Sequence, residues 1–551
     1  MQCDAISESD GHVAIPCQVR VGVTGHRVLA HADRLAEEVA RALPLIQNMV
    51  CTSPATPVLL TVVSPLAEGA DRLVARQALA RPGATLEAVL PLPVADYQTT
   101  FSSEESRQEF REALAGAATL TELPAVETRE EAYEQAGQYV VERCDVLLAL
   151  WDGQPAAGQG GTADVVAWAR DRDIPVYWIH TEPPFRAVWA GASLTLGLDA
   201  YRALDDFNRA SIRPARVTEA IERVTADLTA QAERAGLDPA ALRPSCSWII
   251  PAFVRADLLA SRAQRRFFQV SDATFIFAAL AVIAAAGPQL VGHGSFLAGL
   301  TPHSSLRLAP LIESLLMVLG LIAIYLGRRQ GYHRRWVSYR YLAERLRAAF
   351  FLALVTPPGP TIRSPEPAAL HQAGDTWLER AYDSVWQSRP TVEATPSVAP
   401  LRRFLIDAWV GDQRAYQARK SRRHEAAHEG ISRMGAFIFI MTFVFAATDA
   451  LDVGRGGSLW ETTAPAVLFL SIILPALAGA LTGIGALREH PRNGRRSGRM
   501  AHYLARLEGR IAHAPDLPSL HALARLVEAM ALEETGDWYV TMELRDVGIH
   551  G

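Results

Sequence analysis

Four long apolar runs in the second half of the chain constrain its fold more than any other feature. They are Ala273–Val291, Leu308–Leu326, Met434–Ala450 and Ala464–Leu487. About 20 helical residues cross a hydrocarbon core of about 30 Å, because each residue rises about 1.5 Å. The third run is the shortest and carries Asp449 near its end, so it should start or end in the membrane interface. We therefore predict four transmembrane helices. Buried core helices are the alternative, which the basic flanks of the runs disfavour.

Basic residues flank the apolar runs on the sides away from the two hairpin loops. These residues are Arg262, Arg265, Arg266, Arg328, Arg329, Arg334, Arg335, Arg419, Lys420, Arg422, Arg423, Arg433, Arg488, Arg492, Arg495, Arg496 and Arg499. The hairpin loops hold only Arg307 and Arg455, beside Asp452 and Glu461. Because cytoplasmic flanks of membrane helices are enriched in Arg and Lys, both hairpins should point outward. The pattern predicts a multi-pass protein of the inner (cytoplasmic) membrane with four spans and with cytoplasmic N- and C-termini.

Short apolar runs alternate with helical segments through residues 15–182. The predicted strands are Val19–Val23, Val58–Val63, Leu86–Leu90, Val146–Leu150 and Val176–Ile179, and the predicted helices are Leu35–Ile46, Leu73–Leu79, Glu104–Leu114 and Glu130–Val140. Short apolar strands separated by helices are typical of a parallel sheet that is covered on both faces. The predicted fold class is an α/β Rossmann-like parallel-sheet N-terminal domain plus an α-helical membrane domain with four transmembrane helices and cytoplasmic helical extensions.

Three loops rich in glycine and polar residues follow three of the predicted strands. They are residues 22–27 (GVTGHR), 64–72 (SPLAEGADR) and 151–164 (WDGQPAAGQGGTAD). Ligands of open α/β sheets bind outside the carboxyl ends of the strands. Glycines allow a close approach of the backbone, and a helix N-terminus favours a phosphate. We predict no catalytic residue and no metal ligand. The predicted ligand-binding residues are Gly22, Thr24, Gly25, His26, Arg27, Ser64, Glu68, Gly69, Ala70, Asp71, Arg72, Trp151, Asp152, Gly158, Gly160, Gly161 and Thr162.

Each of these loops also has a simpler interpretation. Gly25 could serve only a turn, and His26 and Arg27 could be solvated loop residues. Asp71 could do no more than favour the start of a helix through the helix dipole. The third loop could be a flexible connection. Their occurrence at equivalent ends of three strands favours one shared pocket for a nucleotide-like ligand.

The three motifs together resemble the SLOG superfamily of Rossmann-like domains, which includes DprA-like and LOG-like proteins. The resemblance covers roughly residues 18–182 and implies binding of a nucleotide-derived signal, such as an ADP-ribose derivative or a cyclic nucleotide. LOG-type phosphoribohydrolases have the pattern P-G-G-x-G-T-x-x-E. In this chain Val165 occupies the place of the glutamate, Asp164 comes one residue early, and Gln159 replaces the second glycine. Without a carboxylate in register, acid–base catalysis is disfavoured, so we predict a binding domain rather than an enzyme.

The apolar runs form two similar units, each with two spans and basic flanks. Tyr341-Leu342-Ala343 follows the second span as Tyr503-Leu504-Ala505 follows the fourth. The first unit resembles the SLATT family through W-x-x-x-R-x-x-A-E-x-L, which begins at Trp336, and the second unit resembles it more weakly. That resemblance implies a pore-forming or membrane-disrupting effector. The predicted domains are a ligand-binding domain (15–182), a helical linker (183–269), a first two-span unit (270–355), a proline-rich connector with a short helix (356–400) and a second two-span unit (401–551).

Composition narrows the classes of function further. A net charge of −5 provides no global basic field for nucleic acid, and five scattered cysteines without a C-x-x-C pair favour neither disulfides nor zinc. The leading hypothesis is a receptor-effector of prokaryotic antiviral defence, which senses a nucleotide-derived signal and permeabilises the lipid bilayer. Four spans per chain are few for a pore, so a homo-oligomer is expected. The alternatives are a membrane-anchored LOG-like nucleoside-phosphate hydrolase, and a transporter or scaffold whose Rossmann-like domain is only structural.

Overall fold

The computed structural model describes residues 14–50, 53–156, 158–190, 198–288, 303–356, 361–362, 376–390, 397–451 and 458–547. Much of the two predicted hairpin loops lies outside the described residues, because residues 289–302 and 452–457 are not among them. Most of the two proline-rich segments of the connector also lies outside them. Among the described residues, all strands of the sheet but one come from residues 17–190, and the long apolar helices follow these strands in the chain.

One sheet with the strand order β7-β6-β5-β1-β2-β3-β4-β8 forms the N-terminal part. Its strands are β1 (Cys17–Gly25), β2 (Val58–Ser64), β3 (Thr85–Leu90), β4 (Thr119–Glu122), β5 (Val146–Trp151), β6 (Val176–His180), β7 (Ala187–Ala190) and β8 (Thr361–Ile362). All neighbouring pairs are parallel except β6 and β7. The mostly parallel sheet of the predicted fold class is therefore present. The chain runs outward from β1 through β4 and then returns to β5 on the other side of β1, so the topological switch lies between β1 and β5.

Three strands were not expected from the sequence. The strand β4 has the sequence TLTE, with a single apolar residue, so no apolar run marks it. The strand β7 is an exposed edge that pairs antiparallel with β6. The two-residue β8 comes from the proline-rich segment that we interpreted as a loop, and it pairs with β4. Thus part of the connector between the two predicted two-span units belongs to the sheet.

Helices cover both faces of the sheet, as the apolar strands require. They are α1 (Ala32–Gln47), α2 (Ala70–Leu79), α3 (Val94–Gln98), α4 (Glu104–Ala115), α5 (Arg129–Arg143) and α6 (Thr162–Asp171). Thr128 and Glu131 form a reciprocal capping box that begins α5. The helix then packs so closely over β1 that a Cβ atom on Gly22 would lie 2.8 Å from the side chains of Val140 and Cys144. Gly22 therefore lies under a helix, rather than in the loop that follows β1.

Three further helices lie near the amino-terminal ends of the strands. Each either faces these ends or packs against a helix that faces them. They are α7 (Leu198–Arg209), α8 (Pro214–Ala235) and, from the connector, α12 (Thr376–Gln387). In α7, Asn208 exchanges hydrogen bonds with the backbone of Ile15, and Asp205 accepts hydrogen bonds from Ser53 and Thr56. The amino edge of the sheet is therefore covered by helices.

The C-terminal part of the chain is helical. Its helices are α9 (Arg243–Ala286), α10 (His303–Gln330), α11 (Tyr332–Val355), α13 (Val398–Leu405), α14 (Gly411–Ala450), α15 (Ser458–Leu487), α16 (His490–Ala512) and α17 (Leu517–Val547), with a π-helical turn at Ile406–Val410. Among the described residues, four helical stretches are long and apolar enough to cross a membrane, and they contain the second and fourth predicted runs and most of the first and third. At about 1.5 Å per residue, α9 and α14 are about 66 and 60 Å long, so each extends well beyond a bilayer core.

The packing of these helices repeats between the two units. In the first unit α9 packs against α10 and α11, and in the second α14 packs against α15 and α16. The units meet where α15 packs against α9 and where α11 packs against α17. The four apolar segments therefore form a row in the order α10, α9, α15, α14. Large apolar side chains stay exposed along this row, including Leu311 at 66% and Phe439 at 72%.

Candidate functional site

The three predicted loops meet at the carboxyl edge of the sheet. The strands β1, β2 and β5 are parallel neighbours, so their carboxyl ends lie side by side. The backbone of His26 joins the loops, because its N–H donates to the carbonyl of Leu150 (3.2 Å) and its carbonyl accepts from Ala70 N–H (3.1 Å). One residue of the first loop thus binds both the end of β5 and the start of α2.

Two glycines allow this close approach of the loops. A Cβ atom on Gly25 would lie 2.5 Å from Ala70 Cβ and 2.7 Å from the carbonyl oxygen of Leu150. Gly69 has a φ of +79°, and a Cβ atom there would lie 2.4 Å or less from the carbonyl oxygens of His26 and Arg27. Gly25, Gly69 and the buried Ala70 therefore shape the junction by packing against their neighbours.

The third loop is held in a fixed shape at its C-terminal half. Gly160 has a φ of +76°, and a Cβ atom there would lie 2.7 Å from the backbone nitrogen of Glu134 in α5. The Asp164 carboxylate accepts a hydrogen bond from Gly160 N–H (3.1 Å). Gly161 is the N-cap of α6, and Thr162 begins the helix. Among the described residues outside its chain neighbours, no atom lies within 4 Å of the place where a Cβ of Gly158 would be, so the loop has open space there.

Side chains of the first and third loops also interact. Asp152 N–H donates to His26 Nε2 (3.3 Å), and the Asp152 carboxylate lies 3.1 Å from the same nitrogen. A hydrogen bond from the backbone of Gln154 lowers the pKa of Asp152, and His26 contributes to the same direction. The indole of Trp151 donates to the carbonyl of Gln154 (2.8 Å). These bonds fix the first turn after β5 against the loop after β1.

The second loop supplies a buried acid next to its turn. Asp71 is only 5% exposed, and its carboxylate accepts a hydrogen bond from Ala67 N–H (3.2 Å). Burial raises the pKa of Asp71 to about 7. Ser64 shapes the same turn, because its hydroxyl accepts from Leu66 N–H (3.0 Å). Asp71 therefore carries only part of a negative charge at neutral pH.

The neighbouring charges of the second loop bind the α3–α4 region. Glu68 accepts hydrogen bonds from Ser102 N–H and hydroxyl (3.0 and 2.8 Å) and from the Ser106 hydroxyl (2.5 Å). These bonds lower the pKa of Glu68, although its partial burial acts in the opposite direction. Arg72 donates to the Leu66 and Ser106 carbonyls and lies over the Phe101 ring. Among the described residues, its buried Nη2 has no hydrogen-bond partner.

The start of α5 forms a wall of the site that sequence reasoning missed. The guanidinium of Arg27 lies 5.2 Å from the centre of the Tyr133 ring. Gln159 donates a hydrogen bond to Glu134, so the first and third loops both contact this helix. Buried Tyr97 from α3 is a second residue that sequence reasoning missed. Burial raises the pKa of Tyr97, and the charges of Asp71, Arg27 and Tyr133 also influence it. These aromatic residues carry no motif and lie far in sequence from the glycines, so no local signal marks them.

The site has the chemistry of an anion-binding site with aromatic side chains. Arg27 is exposed, and the N-terminus of α6 directs backbone N–H groups toward the third loop. Thr24 is buried at the end of β1. Within the described part of the chain, no three His, Cys, Asp or Glu side chains cluster in a way that could hold a metal ion.

At the amino edge of the sheet, where the strands begin, ion pairs connect the sheet to α12. Asp145, which precedes β5, accepts two hydrogen bonds from Arg380 (2.7 and 2.5 Å) and one from Arg20 N–H (2.8 Å). Arg20 itself pairs with Asp383. Although burial alone would raise it, the guanidinium of Arg380 lowers the pKa of Asp145. Gln387 extends the contact by accepting a hydrogen bond from Thr85 (2.9 Å).

The same helix α12 also contacts the long helices. The ring of Tyr382 lies 4.0 Å from the guanidinium carbon of Arg345 in α11, and its hydroxyl donates to Glu528 in α17 (3.4 Å). Trp248 in α9 donates to the carbonyl of Val385 (2.8 Å). One short helix therefore touches the sheet, α9, α11 and α17.

Comparison with known proteins adds no assignment. No family model matches the chain, and no curated protein matches it. The likeness to SLOG and SLATT domains rests on the motifs described above.

Proposed function

We propose that the chain is a membrane-bound receptor-effector. The carboxyl edge of the sheet binds a nucleotide-derived signal, and the apolar helices respond to it by forming a pore or disrupting the membrane. The observation that carries this proposal is the position of α12, which is ion-paired to Asp145 at the amino-terminal end of β5 and packed on α9, α11 and α17. Both β5 and β1 run from the candidate site to this helix, so a shift of their loops can reach it.

The proposed response requires that the apolar helices lie in a membrane. Their exposed apolar side chains support this placement. Burial of one large apolar side chain stabilises a protein by about 1.5–3 kcal/mol. Contiguous exposed apolar faces are rare in soluble monomers for that reason. The faces of α10 and α14 expose Leu311, Leu321, Phe439 and Phe443. With the arginine pattern, they favour an inner-membrane protein with four spans and with the sheet and both termini in the cytoplasm.

A pore would need several copies of the chain. The end helices of the row, α10 and α14, each pack on one apolar neighbour, so the four helices of one chain form an open row and not a closed ring. A homo-oligomer could close such rows around a common axis. Disruption of the bilayer by the exposed faces is the other form of the same response.

The ligand should carry a phosphate and a base or sugar. Arg27 and the N-terminus of α6 suit the phosphate, and Tyr133 suits a planar group. An ADP-ribose derivative or a cyclic nucleotide has both parts. Hydrolysis is less well supported, because the Asp164 carboxylate holds the backbone of its own loop and Val165 is buried.

Ion flux from liposomes tests the proposal. Purified full-length protein is reconstituted, and release of a trapped ion is followed with and without ADP-ribose and cyclic nucleotides. We expect flux to require a ligand that binds, and to need a higher ligand concentration in the Arg27→Gln variant. Arg76→Gln, an exposed arginine of α2, is the control. Binding of a nucleotide without any change of flux would contradict the proposal. Release of ribose phosphate would instead favour the hydrolase.

A further inference from the structure

A large cavity of about 1820 Å³ lies where the apolar segments meet the basic helices. It is bounded by α9, α11, α14, α15, α16 and α17, so both two-span units contribute to its wall. None of the three glycine-rich loops lines it. The cavity is therefore separate from the nucleotide site of the proposed function.

The walls of the cavity are strongly basic. They include Arg347, Arg419, Lys420, Arg423, Arg488 and Arg496, against the two acids Glu344 and Glu489. Like charges gathered around one space repel each other unless counter-charges are present. Some of these cations have such partners, since Arg488 pairs with Asp272 (2.7 Å) and Arg347 with Asp412 (2.9 Å).

Two of the arginines have no such partner. Among the described residues, neither Arg419 nor Arg423 forms an ion pair with a carboxylate. They lie one helical turn apart on α14, so both face the cavity. Two neighbouring guanidinium groups that open on the same space suit an anion with several oxygen atoms, as in a phosphate.

The side of the cavity formed by the apolar segments has a different character. Phe275, Ile431 and Gly483 line it, and a Cβ atom on Gly483 would lie 2.3 Å from the Phe275 ring. Between these residues and the arginines lies an aromatic group, in which Trp336 packs on Phe267 and Phe268. The lining thus joins an apolar part to a cationic part, with aromatic rings between them.

We propose that this cavity binds the phosphate headgroup of an anionic phospholipid, with Arg419 and Arg423 on the phosphate and an acyl chain along Phe275 and Ile431. Basic pockets between membrane helices on the cytoplasmic side suit such headgroups. The shared chemistry is a phosphate, which a soluble phosphate compound could also supply. The apolar part of the lining favours the lipid. The proposal rests on the membrane placement in the proposed function, but it does not require a nucleotide.

Stability and lipid retention test this site on the full-length protein in detergent. One arm adds phosphatidylglycerol, a second adds zwitterionic phosphatidylcholine, and a third adds inorganic phosphate or pyrophosphate alone. We expect phosphatidylglycerol to raise the unfolding midpoint and to be retained in native mass spectra, and the other two arms to have little effect. Stabilisation by phosphate alone to the same extent would overturn the lipid as the source.

The double variant Arg419→Gln/Arg423→Gln identifies the site. Each basic residue near a membrane surface contributes about 1 kcal/mol to binding of an anionic lipid, so the double variant should bind about 30-fold more weakly. The matched control is Arg422→Gln/Arg433→Gln, which removes the same charge from the same helix outside the cavity. Equal retention of phosphatidylglycerol by the two double variants would overturn the proposal. Failure of the chain to partition into membranes would instead count against the proposed function.

Discussion

The two edges of the parallel sheet are built in different ways. At the amino edge, side chains close the structure, with the Asp145–Arg380 and Arg20–Asp383 ion pairs buried against α12. At the carboxyl edge, backbone groups and glycines bring three loops together and leave Gly158 in open space. The first edge is a fixed joint, and the second is an open site. The strands β1 and β5 connect the two edges. The six residues of β5 span roughly 20 Å.

This difference indicates that a ligand can bind at the carboxyl edge, and that a displacement of the strands can reach α12 at the amino edge. A ligand at the carboxyl edge meets loops whose positions depend on a few backbone hydrogen bonds. The amino edge resists change, because separating a buried ion pair leaves charges without partners. A rigid joint transmits a displacement of the strands to α12 rather than absorbing it. The following predictions test this contrast, from the largest expected effect to the smallest.

Removal of Arg380 should have the largest effect on stability. The Arg380→Ala variant leaves the buried carboxylate of Asp145 without its main partner, which costs about 3–5 kcal/mol of the free energy of unfolding. Thermal unfolding of the full-length protein measures the loss. Arg216→Ala, which removes an exposed arginine of α8, should change the free energy by less than about 0.5 kcal/mol. Equal effects of the two changes would show that the joint does not hold the sheet to α12.

Asp71 should make the carboxyl edge sensitive to pH. Its pKa is raised from 3.8 to about 7, so the folded protein binds its proton more tightly than the unfolded chain does. The resulting stabilisation is full below about pH 4 and is lost as the pH rises through about 7. The shift of about 3 units corresponds to roughly 4 kcal/mol at most, at about 1.4 kcal/mol per unit.

Comparison with Asp71→Asn isolates this effect, because the amide does not ionise. Unfolding midpoints of both proteins are measured between pH 5 and pH 8. The stability of the wild type relative to the variant should fall as the pH rises. A constant difference across this range would contradict the raised pKa of Asp71.

Substitution of glycines should distinguish the fixed and open parts of the third loop. Gly160→Ala introduces a Cβ atom 2.7 Å from the backbone of Glu134 at a φ of +76°, which should cost about 1–3 kcal/mol. Gly158→Ala meets no atom within 4 Å and should leave stability nearly unchanged. Thermal unfolding measures both variants. If Gly158→Ala is the more destabilising of the two, the loop has a different shape from the one described.

Loss of Arg27 should weaken ligand binding with little effect on folding. The guanidinium is exposed beside Tyr133, so Arg27→Gln removes one charge-assisted hydrogen bond to a phosphate, which corresponds to about tenfold in affinity. Isothermal titration with the nucleotide that stabilises the wild type measures the change. Arg76→Gln should bind as the wild type does. Unchanged binding by Arg27→Gln would place the phosphate elsewhere.

Local sequence patterns predicted the carboxyl edge of the sheet better than the amino edge. The apolar runs marked β1, β2, β3, β5 and β6, and the glycines after three of them marked the loops that meet. The four apolar helices were evident for the same reason, since their signal lies within each segment. The roles of the glycines were less evident. Gly22 and Gly25 admit neighbouring protein atoms, which a sequence motif cannot distinguish from a ligand.

The fixed edge depends on residues that are far apart in the chain. Asp145 and Arg380 are separated by 235 positions, and Arg20 and Asp383 by 363. No periodicity connects such residues, so α12 was expected only as a short helix in a connector. Its ion pairs arise from the tertiary fold, which brings the segment between the two predicted two-span units back to the sheet.

Hydrogen exchange of α12 tests the central claim most directly. Full-length protein in lipid nanodiscs is labelled with deuterium, with and without a nucleotide that binds at saturating concentration. We predict altered exchange in the three loops of the carboxyl edge and also in residues 376–387 and 332–355, which do not touch the ligand. Exchange that changes only in the loops, at full occupancy, would contradict the coupling of the ligand site to the membrane helices.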